Sequence, residues 1–258
     1  MDELARHIID IVQEAGEILL HYYKRKNLKI DHKRDASPVT EADLAVDAYI
    51  TKALENSPFA APVISEEGHH KDIDEMLSSE RLWLVDPLDG TRSFINQSDE
   101  FAVCIGHLEN LKPNFGVILL PVTGTVYYGS SELGAFKLNK HGNRTPIMSA
   151  PSRPSTIVAN HNLKIPKNIE QSFNIMRMSA AGKFGLVAEG AAGLYIRKGS
   201  TCEWDTAAGQ CIVEAAGGKV CDFSGQPLSY GKENFLNKSF VAIASDIEDW
   251  QIILSSFL

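Results

Sequence analysis

The stretch "WLVDPLDGTRSF", residues 83–94, decides how this chain is read. Trp83–Val85 are apolar, as in a buried strand, and the run then places Asp86 and Asp89 around Pro87. Proline between them implies a turn that brings the two carboxylates together, and like charges held that close call for a cation. Oxygen donors of this hard kind suit magnesium, manganese or calcium rather than zinc. Gly90 and Thr91 follow as a helix start, whose free backbone N–H groups suit a phosphate. On its own, a D-x-x-D is equally a pair of helix caps. Further acids also fall at the ends of expected elements. Glu66 and Glu67 close the strand-like APVISEE, Asp43 opens a helix, and Asp205 in CEWDTAAG precedes another. Spacing alone leaves both readings, ligands or caps, open.

Composition narrows the classes. The chain has 258 residues, 44% of them hydrophobic and 22% charged, enough for one large domain or two modest ones. A formal net charge of -8 with no Lys/Arg run argues against a nucleic-acid polymer or an anionic membrane as the main partner. Glu3, Arg6, Asp10 and Glu14 interrupt the N-terminal apolar pattern, so no signal-peptide core is expected there, and no apolar run is long enough for a transmembrane segment. A cytoplasmic location is expected, with peripheral inner-membrane association compatible. The oligomeric expectation is monomer or homodimer. Cys104, Cys202, Cys211 and Cys221 lack C-x-x-C spacing and sit among apolar residues, which suits reduced thiols in a core.

The pattern of elements is mixed. Leu4, Ile8, Ile11, Ala15, Ile18 and Tyr22 recur at helical spacing. A second helix is expected to begin near Glu41, with Thr40 and Asp43 as its capping box and Ala42, Val46, Tyr49, Ala53 and Leu54 as its apolar stripe. GHHKDIDEMLSSE, with His69 and His70, reads as a hydrophilic loop or helix, and residues 100–139 as an antiparallel meander. SAPSRPST reads as a linker, dividing an α+β part (1–150) from an α/β part (151–258). In the second part STIVAN reads as a strand, KFGLVAEG and WDTAAGQCIVEAA as helices, and Gly217 with Gly218 as a helix stop. Trp83, Trp204, Tyr127 and Tyr128 are expected to pack in the core or wall the site, and Trp250 to anchor a C-terminal helix.

In this order and spacing, SPVTEAD, SEE, WLVDPLDGTRSF and WDTAAG resemble the magnesium-dependent, lithium-sensitive phosphatases of the inositol monophosphatase superfamily, over nearly the whole chain. The resemblance implies a layered αβαβα sandwich of the α/β class, with the metal site in a cleft between the two parts. It also implies roles. Glu66 would be a metal ligand and part of the catalytic set, with Glu67 structural. Asp86 would bridge two metals, the Leu88 carbonyl joining Glu66 on one, and Asp89 with Asp205 on the other. Asp43 and the Thr91 hydroxyl would hold and activate the attacking water, with two or three Mg2+ per site and Mn2+ as the alternative. The ester itself calls for such help, since phosphate monoester hydrolysis is among the slowest uncatalysed biological reactions. No C-x5-R sequence offers a cysteine route.

Within the superfamily, SPVT-x-AD, LVAEG and WDTAAG look most like the 3'(2'),5'-bisphosphate nucleotidases, whose substrate carries a second phosphate. By that resemblance the small-molecule phosphate ester is 3'-phosphoadenosine 5'-phosphate, and also its sulfated precursor. Substrate would meet Gly90, Thr91 and Asp205, with Lys183 and Arg197 on the 5'-phosphate, and the reaction would clear a by-product of sulfate assimilation. Judged without the resemblance, Lys183 and Arg197 read as solvated surface charge. Ala180 and Ala181 depart from the two serines common in nucleotidases, and TRSF from T-K-E-F. An inositol or broad sugar-phosphate phosphatase is therefore the alternative, and a non-catalytic nucleotide sensor a more distant one.

Overall fold

A computed structural model describes residues 2–25, 28–33, 37–68, 72–150, 155–245 and 247–257. His69 and His70, and residues 151–154 of the expected linker, lie outside them. Along the first part run α1 (Glu3–Tyr23), the hairpin β1 (Ile30–His32) and β2 (Pro38–Thr40), α2 (Glu41–Glu55), β3 (Val63–Ser65), α3 (Ile73–Ser78), β4 (Arg81–Asp89) and α4 (Thr91–Ile95). The meander follows as β5 (Ala102–Glu109), β6 (Lys112–Leu120), β7 (Thr125–Ser130), β8 (Gly134–Leu138) and β9 (Arg144–Ile147). Next come β10 (Thr156–Ala159), α5 (Lys167–Ser172), β11 (Asn174–Arg177), α6 (Gly182–Ala188), β12 (Leu194–Arg197) and β13 (Thr201–Cys202). The last elements are α7 (Ala207–Ala215), β14 (Lys219–Asp222), β15 (Leu236–Asn237), β16 (Phe240–Ile243) and α8 (Trp250–Ser255).

Strands β3 to β9 form a seven-stranded sheet in sequence order, antiparallel apart from the parallel β3–β4 pair. Alternation along each strand splits its apolar residues between two faces. Trp83, Val85, Val103, Ile105 and Val117 pack with the apolar stripes of α1 and α2. Leu82, Leu84, Ala102, Cys104 and Ile118 point the other way, into a cluster with Phe184, Val187, Ala208 and Ile212 of α6 and α7. That cluster continues to Val158, Tyr195, Phe240 and Ala242 of a second, five-stranded sheet ordered β11-β10-β12-β16-β14. Ile169 of α5 and Leu254 of α8 cover the outer face of this sheet. The layers are thus α, β, α, β, α, as the resemblance implied.

Two local features set the positions that matter below. α7 lies close on the first sheet because Gly116 of β6 has no side chain; a Cβ there would collide with the backbone of Ala208. At the start of α2, the Thr40 hydroxyl accepts from Ala42 N at 3.1 Å and Asp43 N at 3.4 Å, while Asp43 Oδ2 accepts from Thr40 N at 2.8 Å. This is the capping box expected from the sequence. Thr40→Ala removes the cap and a donor to the buried Asp43, so urea unfolding should show a loss of about 0.5–2 kcal/mol, with Thr40→Ser restoring most of it.

Candidate active site

β4 carries the acids differently from the sequence expectation. No turn intervenes at Pro87: the strand runs through it to Asp89, and the pairing with β5 slips, Asp86 opposing Cys104 and Asp89 opposing Ala102. Proline has no N–H for the ladder, so a bulge absorbs it and re-aims the carboxylates that flank it. Gly90 ends the strand with φ 94 and opens the short α4, a conformation costly for other residues.

The bulge sets the acids against those of two other elements. Glu66, just past β3, Asp86, and Asp205, ahead of α7, each place an oxygen within 4.8 Å of the others. Asp86 is 1% exposed. Its Oδ1 accepts from Leu88 N at 3.0 Å, and Asp205 Oδ2 accepts from Cys202 N at 3.1 Å. Burial, then the charges of Glu66, Asp89 and Asp205, push the Asp86 carboxyl well above its ordinary range. Burial, then Asp89 and Glu66, do the same to Asp205. Asp89 lies outside that tight trio but shares a small cavity with Asp205, and burial raises it even though Lys183 pulls it down.

Asp43 and Thr91 meet beside the trio. The Thr91 hydroxyl lies 3.1 Å from Asp43 Oδ1 and 3.3 Å from the Leu88 carbonyl oxygen. Burial raises the Asp43 carboxyl, opposed by the hydrogen bonds from Thr40 and Thr91. Sequence reasoning missed Lys33, whose Nζ donates to Glu66 Oε1 and Glu67 Oε1, both at 2.6 Å. Lys29, Lys33 and Arg34 all precede SPVT, and nothing in their spacing singles out Lys33. Glu67 is pushed up to about 7, burial outweighing the pull of Lys33.

The reading of Lys183 as solvated surface charge is overturned. Lys183 is 2% exposed, its ammonium 5.0 Å from the Tyr195 ring centre, and it donates to the Ala180 carbonyl. The cause is tertiary: Phe184, Tyr195 and Phe240 close around the start of α6, which no local pattern announces. Burial lowers its pKa to about 8. Arg197, at the end of β12, is half-buried and donates from Nε to Thr201 Oγ1 at 2.9 Å. Asp89, Lys183, Tyr195, Arg197, Thr201 and Asp205 line a cavity of about 80 Å³. It shares Asn160 and Arg197 with a groove of about 360 Å³ that also holds Lys164 and Lys198.

Cation chemistry follows from the donor set. Buried carboxylates that raise one another's pKa fit a divalent ion, which replaces repulsion by attraction. Removing the metal has a signed consequence. A carboxyl whose folded-state pKa is raised holds its proton more tightly when folded, so the metal-free protein is most favoured below the ordinary carboxylate pKa near 4 and loses stability as pH rises above it. Melting in EDTA should therefore fall between pH 5 and pH 8. Added magnesium at about 100 times its Kd should restore about 2.7 kcal/mol at the higher pH and less at the lower.

Comparison with known proteins places the whole chain in a family. The sequence profile described as "Inositol monophosphatase family" matches residues 1–252. The chain belongs to the inositol monophosphatase family. Within it, the chain is 34% identical over 262 residues to the 3'(2'),5'-bisphosphate nucleotidase CysQ of Haemophilus influenzae, covering 98% of this chain and 97% of that protein. It also resembles a crystal structure of CysQ from Bacteroides thetaiotaomicron, with TM-score 0.77 and 32% identity over 95% of this chain and 98% of that one. A Thermotoga maritima IMPase superposes with TM-score 0.81 over 100% of this chain and 98% of the other, at 24% identity, a likeness of fold. Among the described residues of this inositol monophosphatase family member, no helix is long and apolar enough to cross a membrane.

Proposed function

We propose that the chain is a magnesium-dependent 3'(2'),5'-bisphosphate nucleotidase of the CysQ type, taking the 3'-phosphate from 3'-phosphoadenosine 5'-phosphate to give AMP and phosphate. The observation that carries this reading is that Lys183, buried, shares one cavity with Arg197, Asp89 and Asp205. Fixed positive charge beside an acidic centre suits an ester bearing a second phosphate. CysQ relatives aligned over nearly the full chain support it.

In this reading Glu66, Asp86, Asp89, Asp205 and the Leu88 carbonyl hold the cations, magnesium first and manganese as the alternative. When bound, such ions neutralise the phosphate's charge and make water a nucleophile near neutral pH. The chain's own part lies with Thr91 and Asp43. Asp43 Oδ1 accepts the hydrogen bond donated by the Thr91 hydroxyl, which leaves the lone pairs of Thr91 Oγ1 to accept a hydrogen bond from the attacking water. Thr40, bonded to Asp43 Oδ2, keeps that carboxylate turned toward Thr91. Gly90 and Thr91 meet the departing phosphate, Lys183 and Arg197 the 5'-phosphate.

The test is a side-by-side assay of the bisphosphate nucleotide, its sulfated precursor, inositol 1-phosphate and fructose 1,6-bisphosphate. kcat/KM for the bisphosphate nucleotide should exceed that for inositol 1-phosphate by at least about tenfold, the worth of one additional charged contact. Equal values would remove the substrate assignment.

A further inference from the structure

Glu100 stands where three loops meet, outside the acids and cations placed above. It lies between α4 and β5, and its backbone oxygen would sit 2.9 Å from a Cβ at Gly90, so it is packed on the turn that carries Asp89. Its side chain reaches two loops of the other sheet. Oε2 accepts from Ser179 N–H at 2.9 Å and lies 2.7 Å from His161 Nε2.

Both loops border the cavity. Ser179 precedes Ala180, which has the left-handed φ of 57, lies 3.4 Å from a Cβ at Gly90 and offers its carbonyl to Lys183. A residue with a side chain in that conformation persists only where its surroundings hold it. His161 follows Asn160, whose buried Oδ1 has no hydrogen-bond partner and which lines the cavity beside Lys183 and Arg197. A buried acceptor left open at a cavity wall suits a ligand donor. Arg177 secures the same loop from behind, Nη1 donating to the carbonyls of Asn160 and His161 at 3.0 Å and of Leu163 at 2.9 Å. Burial would raise the Glu100 carboxyl, but its hydrogen bonds from His161 and Ser179 outweigh that and hold it below the usual range, so it meets its partners as a carboxylate.

We propose that Glu100 is a positioning residue: by tying His161 and Ser179 to the Gly90 turn, it fixes Asn160 and Lys183 relative to the acids and so sets affinity for the part of the substrate away from the scissile phosphate. This rests on the nucleotidase reading for its kinetic arm and on the geometry alone for its structural arm.

The experiment compares Glu100→Ala and Glu100→Gln, in the magnesium-loaded protein, with adenosine 3',5'-bisphosphate and adenosine 3'-monophosphate. For Glu100→Ala, KM for the bisphosphate should rise about tenfold or more, the scale of charged hydrogen bonds, with kcat on either substrate within about twofold. KM for the monophosphate should move far less. Glu100→Gln keeps an acceptor for Ser179 and should recover to within about threefold. Amide hydrogen exchange supplies an arm free of substrate: in Glu100→Ala, exchange at Ser179 should quicken at least about tenfold while β5 amides are unchanged. Unchanged exchange at Ser179, equal KM shifts for both substrates, or Glu100→Gln as impaired as Glu100→Ala would overturn the proposal. Should the wild-type protein not favour the bisphosphate, the nucleotidase reading fails and the exchange arm still decides whether Glu100 holds the loop.

Discussion

Replacing Asp86 by Asn is expected to remove turnover and, at the same time, to raise the melting temperature of the metal-free protein. Asp86 is 1% exposed, and burial with the charges of Glu66, Asp89 and Asp205 disfavours its ionised form. Asparagine keeps the shape and the acceptor for Leu88 N. Without metal, the change relieves repulsion on the order of 1–3 kcal/mol at pH 7, the scale of a poorly compensated buried charge. For a chain of this size that is roughly 2–4 °C per kcal/mol. With magnesium the sign reverses: a ligand is lost, cation affinity falls, and kcat/KM should drop at least about 10²–10³-fold, as when one group that stabilises transition-state charge is removed. Differential scanning calorimetry with EDTA and with magnesium, beside the phosphate-release assay, reads both signs. A mutant less stable in EDTA would make Asp86 a structural cap and end the cation-cage account.

Lys183→Met carries the second large effect. Methionine fills the aliphatic volume around Phe184 and Tyr195, so the fold should hold with a cost below about 1.5 kcal/mol. The charge facing Asp89 and Arg197 disappears. KM for the bisphosphate nucleotide should rise roughly 10–100-fold, and inositol 1-phosphate, which has no second phosphate, should be hydrolysed as before at saturating magnesium. Equal losses on both substrates would assign Lys183 to the acidic centre instead. No loss on either would return it to a packing role.

The sequence made the ends of elements legible and their meeting places obscure. Thr40 and Asp43 announce the start of α2 because a capping box is local. Alternation predicted the meander, since each strand's two faces answer to different layers. The course of β4 through Pro87 was not legible, because a bulge belongs to the pairing with β5 rather than to the strand itself. Lys183 is another such case: its burial comes from Tyr195 and Phe240, which lie 12 and 57 positions further along and reach it through β12 and β16. Lys33 and Glu100 are each an ordinary charge in a polar stretch until partners from distant loops close on it.

The helices of the middle layer are apolar on both sides: α6 and α7 present Phe184, Val187, Ala208 and Ile212 to a core shared by both sheets. Protein synthesis runs from the N-terminus at about 5–20 residues per second, so the first sheet, complete at Ile147, is made roughly 3–14 seconds before Ala215, the end of the α7 helix that covers its inner face. During that interval Leu84, Cys104 and Ile118 have no roof. A nascent chain of this architecture is open to chance encounters with its neighbours, and mutations that slow the docking of α7 should show first as aggregates in the cell, at a dose that leaves the purified enzyme unharmed.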